Sequence, residues 1–164
     1  ATALSTALIE SKWRMEIHEF SEVLLINDSY NASPDAVEAA LRTLILFAQE
    51  RGGRAWAFLG KMAELGESSA KAHQQVGTLA YQIGIDHLVC VDAPDYQPVE
   101  HSDGQTNLHL CDRSGARAIA EQIEPGDVIL VKASRSEKFE LLAEEIEEIV
   151  KRNMSTGVAG GEEE

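Results

Sequence analysis

Positive charge is what this chain most lacks. Fourteen Lys and Arg stand against 28 Asp and Glu in 164 residues, a net charge of −14 with a pI near 4.7. A general binder of nucleic acid or of anionic membranes shows the opposite balance, so neither partner is expected. Long hydrophobic runs are missing too, because Ser, Asp, Glu or Lys interrupts every apolar stretch before the roughly 20 residues a membrane helix needs. Ala1 to Glu10 has no basic lead and no cleavage pattern of a secretory signal. The expectation is a cytoplasmic protein without membrane insertion. Cysteine is scarce: Cys90 and Cys111 stand alone, with no CxxC and no Cys/His cluster at metal spacing. Two buried reduced thiols are expected in place of a disulfide or a metal site.

Several chemical signatures are also absent. The chain contains neither GxxxxGKS/T nor GxGxxG, and so carries no recognisable triphosphate cradle of its own. No GxSxG nucleophile motif occurs, and His18, His87, His101 and His109 show no ligand spacing. His73, in a polar helical stretch, suits a surface or helix-packing role better than catalysis.

What is present is a core and a rhythm. Hydrophobic residues make up 44% and charged residues 26% of the chain. Chain-wide disorder is thereby excluded, and the length suits about one domain. Four short apolar runs, Val23–Asn27, Ala55–Leu59, His87–Val91 and Asp127–Val131, do not alternate polar with apolar, so they read as strands covered on both faces. Between them lie stripes of helical period: Val37, Ala40, Leu41, Leu44 and Ala48, then Val76, Leu79, Ala80 and Ile83. A less regular helix is expected from about Asp112 to Ile123. A last one sets Phe139, Leu142, Ala143, Ile146, Ile149 and Val150 opposite Glu140, Glu144, Glu147 and Glu148.

The punctuation agrees with this reading. Ser33-Pro34 is a helix N-cap with proline at the first helical position, and Gly52-Gly53 closes that helix. Alternating strand and helix implies an α/β fold, a mainly parallel sheet with helices on both faces. Residues 1–13 read as a connector or the remnant of a preceding domain, and Met15–Phe20 as an extra strand, a hairpin partner for the first core strand. Ala93–Thr106 reads as a tolerant surface loop, residues 14–152 as the folded domain, and 153–164 as a disordered acidic tail.

Ligands bind open parallel sheets beyond the carboxyl ends of the strands, so the segments leaving the strands are the candidates. Asp28 suits a ribose hydroxyl or a cation, and Tyr30 and Asn31 offer a stacking face and an amide; the alternative is an Asx turn with local caps. Lys132, Ser134 and Arg135 offer two cations and a hydroxyl near a helix start, suited to a carboxylate or phosphate. The alternative is that Lys132 snorkels from a strand end and Arg135 pairs with Glu137 or another neighbour.

The segments IND-SYNASP at 26–34, AFLGKMAELGE at 57–67 followed by His73 and Val76-Gly77, and GDVILVKASRS at 126–136 closely resemble the C-terminal domain of the Mur ligases. KWRMEIHE at 12–19 resembles the lead-in to that domain, and the likeness runs in order from about Lys12 to Ile149. The resemblance implies a Rossmann-like domain of a three-domain, ATP-dependent amide ligase of peptidoglycan precursor synthesis. Its expected substrates are UDP-N-acetylmuramoyl-tripeptide and D-alanyl-D-alanine. ATP and Mg²⁺ would be held mainly by a central domain, with the N-terminal and central domains as partners, and the isolated domain would lack turnover. By the same resemblance Asp28 contacts the ribose of ATP, and Tyr30 and Asn31 line the cleft as substrate-binding residues. Lys132 and Ser134 face the reacting centre as catalytic candidates, and Arg135 takes the dipeptide carboxylate. Ser33 replaces a usual Asn, and Lys61 replaces a common acidic residue and is given no role. The alternatives are the C-terminal domain of another Mur-type ligase, or a stand-alone Rossmann-like binding or regulatory module.

Overall fold

A computed structural model describes residues 12–98 and 105–159. The first strand, β1 (Glu16–Phe20), turns through Ser21 and Glu22, both with left-handed backbone (φ 50 and 63), into β2 (Val23–Asn27). Then follow α1 (Pro34–Arg51), β3 (Ala55–Leu59), α2 (Ser69–Ile83), β4 (His87–Val91), β5 (Asn107–Cys111), α3 (Arg113–Ala120), β6 (Val128–Lys132) and α4 (Phe139–Ala159). The six strands lie in the order β1-β2-β6-β3-β4-β5. Only β1 is antiparallel, its Phe20 opposite Val23. The remaining strands pair in parallel, with Asn27 opposite Val131 and Leu59 opposite Lys132.

The strand runs fail to alternate because both faces are covered. Leu24 and Ile26 of β2 enter one core with Leu41 and Leu44 of α1 and Val76 and Ala80 of α2. Val23 and Leu25 enter the other, with Ala116 and Ala120 of α3 and Leu142 and Ile146 of α4. Each of the Val, Leu and Ile side chains, fully buried, contributes about 1.5–3 kcal/mol of transfer free energy. Helix α1 starts as its sequence dictates: the Ser33 hydroxyl accepts from the Ala36 amide at 3.3 Å, Pro34 takes the first turn, and Gly52 ends the helix at φ 69.

The structure departs from the sequence reading in four places. Strand β5 was not anticipated: it is an edge strand whose residues are all partly or fully exposed, so it lacks the apolar run that marks its neighbours. The last core strand is shifted one residue, to Val128–Lys132: the Asp127 amide donates back to the Glu124 carbonyl in the preceding turn, and its carboxylate accepts from Arg54 and the Trp56 indole. The region expected as a tolerant surface loop holds a short turn, Pro94–Tyr96, whose tyrosine is buried; residues 99–104 lie outside the described residues. Helix α4 continues through Ala159, past the expected start of the tail at Asn153, and Asn153 donates to Glu121 while Met154 packs on the core. Of the expected connector, residues 1–11 are likewise outside the described residues.

Candidate functional site

Because β2, β6, β3 and β4 run parallel, the segments that follow them share one edge of the sheet. The β2–α1 and β6–α4 segments are neighbours there. Asp28 extends the ladder by donating its amide to the Val131 carbonyl at 2.9 Å. Its carboxylate accepts from the Met15 amide on Oδ1 (3.1 Å) and from Lys132 Nζ on Oδ2 (2.7 Å). Lys132 Nζ also donates to the Asn31 carbonyl at 2.9 Å. Lys132 is 3% exposed, so it does not snorkel: its ammonium is the strut between the two loops. Local caps are present as well, since Asn31 Oδ1 accepts from the Ala32 amide at 2.8 Å and Asn27 Oδ1 from the Ser29 hydroxyl at 2.6 Å.

Beside this strut lies a cleft of about 440 Å³ whose polar walls are Arg14, Asp28, Tyr30, Asn31, Ser33 and Lys132, with small residues of α1 forming its floor. The Arg14 guanidinium lies over the Tyr30 ring, 4.2 Å from its centroid. The main chain of the lead-in segment is docked here, for Tyr30 donates its amide to the Trp13 carbonyl at 3.0 Å. Trp13 and Met15 adopt left-handed backbone (φ 62 and 47), an uncommon conformation for non-glycine residues that the tie to Tyr30 and Asp28 holds in place.

Asp28, Tyr30, Asn31 and Lys132 thus line one cleft, and Ser134 and Arg135 do not. Ser134 is buried; its hydroxyl accepts from the Ala63 amide at 2.6 Å and its own amide donates to the Lys61 carbonyl at 2.9 Å. It joins the β6–α4 segment to the β3–α2 segment. Arg135 is exposed, pairs with Glu140 at 2.9 Å rather than with Glu137, and stacks over the Trp13 ring at 4.4 Å. The chain of contacts Tyr30–Trp13–Arg135 puts both groups on one rim.

The β3–α2 segment is fastened by two further buried groups. His73 Nε2 accepts from the Met62 amide at 2.9 Å while Nδ1 lies 2.7 Å from the Ser69 carbonyl, an arrangement that requires a neutral ring protonated on Nδ1. The Tyr96 hydroxyl donates to the Gly60 carbonyl at 2.7 Å, and its ring meets His73 edge-on. Gly77 permits this packing, because a Cβ there would stand 1.6 Å from the Tyr96 carbonyl oxygen. His73 is therefore a packing residue with a definite task, and Lys61 is left exposed on the loop.

Sequence reasoning missed Arg14, Trp13, Tyr96 and Glu140. Arg14 precedes a strand and belongs to no periodic pattern, and Tyr96 hides among Pro and Asp that signal a loop. Cys90 and Cys111 are free; burial pushes the Cys90 thiol up, and burial followed by nearby Asp112 and Asp92 pushes Cys111 up to about 11. Both stay protonated near neutrality and are poor nucleophiles. Among the described residues no group of three or more His, Cys, Asp or Glu is placed to hold a metal ion. Among them, too, no helix is long and apolar enough to cross a membrane.

A family profile described as Mur ligase, glutamate ligase domain, matches residues 13–135. A UDP-N-acetylmuramoyl-tripeptide–D-alanyl-D-alanine ligase of Mycobacterium tuberculosis is 34% identical over 158 residues, covering 83% of this chain and 31% of the relative. The ligase of the same name from Escherichia coli is 34% identical over 130 residues, covering 76% of this chain and 27% of its own length. The chain thus spans about a third of the curated relatives it matches. Among solved structures, a MurF ligase of Thermotoga maritima in complex with ADP aligns with a TM-score of 0.66 at 26% identity, covering 88% of this chain and 31% of that one. A MurF of Acinetobacter baumannii aligns with a TM-score of 0.65 at 25% identity, covering 83% and 31%.

Proposed function

The chain belongs to the Mur ligase family through its glutamate ligase domain, and from that premise we propose that it is the C-terminal domain of the ligase that joins D-alanyl-D-alanine to UDP-N-acetylmuramoyl-tripeptide. The observation that carries this reading is the junction of the SYNASP and KASRS loops through Lys132, beside a cleft walled by Asp28, Tyr30 and Arg14. The relatives that match 83% and 76% of this chain at 34% identity carry that name.

The reaction runs in two steps. The tripeptide carboxylate attacks the γ-phosphorus of ATP, releasing ADP and leaving an acyl phosphate. The dipeptide amine then adds to the acyl carbon, loses its proton, and the tetrahedral intermediate expels phosphate. Such chemistry is driven by positioning and by neutralising moving charge. Asp28, fixed by Lys132 and the Met15 amide, retains lone pairs toward the cleft for a ribose hydroxyl. Tyr30 and Asn31 line the same wall. Arg14 places a cation over Tyr30 in the wall of the same cleft.

Arg135, nearly half exposed, presents a planar donor fork suited to the dipeptide carboxylate. Lys132 and Ser134 hold the loops in register. Mg²⁺, held by a central domain, would supply charge neutralisation at the phosphates. ATP turnover by the full-length ligase should require the tripeptide together with D-alanyl-D-alanine, and glutamate or a diamino acid should not replace the dipeptide. The 164-residue chain alone should be silent. Efficient use of glutamate or a diamino acid would overturn the assignment.

A further inference from the structure

Arg135 is held at two points. Its Nη1 donates to Glu140 Oε1 at 2.9 Å, and its guanidinium carbon lies 4.4 Å from the centroid of the Trp13 ring. Among the described residues Glu140 is the only acceptor for this side chain. Glu140 itself stands in the first turn of α4 and is 7% exposed. Its second oxygen, Oε2, is buried with no hydrogen-bond partner among the described residues.

As a stabilising device this pair is poor. A carboxylate oxygen shut away from water without a donor is unfavourable, and an ion pair whose arginine is 47% exposed adds little. The geometry is better accounted for by its effect on Arg135. Arginine has five N–H donors on a long, freely rotating stem. Glu140 takes a hydrogen of one terminal nitrogen and stops the stem from wandering. The Trp13 ring, 4.4 Å from the guanidinium carbon, holds the cation on its other side. The remaining donors are left in a set orientation.

Resting on the reading that Arg135 receives the dipeptide carboxylate, we infer that Glu140 is its positioning residue, with Trp13 as the platform. Glu140 does not touch the dipeptide. It presets the fork, so that binding does not have to freeze the arginine side chain. Its negative charge opposes a second carboxylate nearby, while its acceptor oxygen orients the donors; the inference is that orientation outweighs repulsion. Gln keeps an acceptor and drops the charge, and so separates the two effects.

The test is steady-state kinetics of the full-length ligase with Glu140→Ala, Glu140→Gln, Arg135→Ala and the Glu140→Ala/Arg135→Ala double variant. Glu140→Ala should raise KM for D-alanyl-D-alanine at least tenfold and leave KM for ATP within about twofold. Glu140→Gln should restore most of the loss. In the Arg135→Ala background, Glu140→Ala should add nothing, since its effect passes through a side chain no longer present. An Arg135→Ala enzyme with unchanged dipeptide KM would overturn both the carboxylate reading and this inference. A normal Arg135→Ala defect combined with a Glu140→Ala effect that is absent, or that persists undiminished in the double variant, would overturn the positioning role alone. Glu140→Gln as damaged as Glu140→Ala would do the same.

Discussion

Lys132 and Asp28, 104 residues apart in the chain, meet at 2.7 Å on the carboxyl edge of the sheet. One side chain comes from the end of β6 and the other from the end of β2, and both are largely withdrawn from water. The pair holds the two loops that carry most of the candidate site.

Removing one partner strands the other. Lys132→Met should destabilise the chain by ~3 kcal/mol, because Asp28 is left charged and poorly solvated. Asp28→Asn should destabilise it too, because one amide oxygen cannot accept from both Lys132 and the Met15 amide and the buried ammonium loses its counter-charge. The double variant Asp28→Asn/Lys132→Met should be more stable than the sum of the single losses implies. Urea unfolding of the four proteins measures this, and strict additivity would mean the two groups do not interact.

The His73 ring is an anchor for one loop and not for the sheet. His73→Ala should speed hydrogen exchange at the Met62 amide while the Ala63 amide, held by Ser134, and β3, β4 and β6 keep their protection, because among the described residues the ring hydrogen-bonds only to Met62 and Ser69. Uniform loss of protection across the strands would show that the ring supports the whole core instead.

Much of this was legible in the sequence, and the reasons are physical. The strands β2, β3, β4 and β6 announce themselves because burial on both faces demands unbroken apolar runs. Helix α1 announces itself because Ser33, Pro34 and Gly52 each solve a local backbone problem. Strand β5 was hidden because an edge strand half in water has no such run. The loop-end residues could be placed on one edge from topology alone, but their partners could not. Lys132 meets Asp28, and Ser134 meets Ala63, across gaps of 104 and 71 residues. Nothing local encodes those pairings. The sequence offers Arg135 as a cation paired with Glu137 or another neighbour, and its choice of Glu140 depends on the turn that separates the two.

A pH dependence follows from the other end of the sheet. His87 Nδ1 and His109 Nε2 lie 3.1 Å apart, and His87 stacks on the buried Trp56. Burial holds both histidines below the usual 6.5, and His87 is lowered further by His109 and Arg54. The folded chain therefore binds fewer protons than the unfolded chain in the acid range. Their contribution is complete above about pH 6.5 and is lost as pH falls below it, at up to about 1.4 kcal/mol per pH unit for each proton excluded. His109→Gln should flatten the fall in urea midpoint between pH 7 and pH 5. An unchanged slope would show that other groups carry it.

If the rim joining Tyr30, Asn31, Ser134 and Arg135 receives D-alanyl-D-alanine, as proposed, its amides must respond to the dipeptide. Titrating the isotopically labelled chain with the dipeptide, while following backbone amide shifts, tests it most directly. Saturable shifts are expected at those four amides and none at Glu22 or Gly126, which lie at the opposite edge of the sheet. Shifts confined to Glu22 and Gly126, or no saturable shift at the rim, would contradict it.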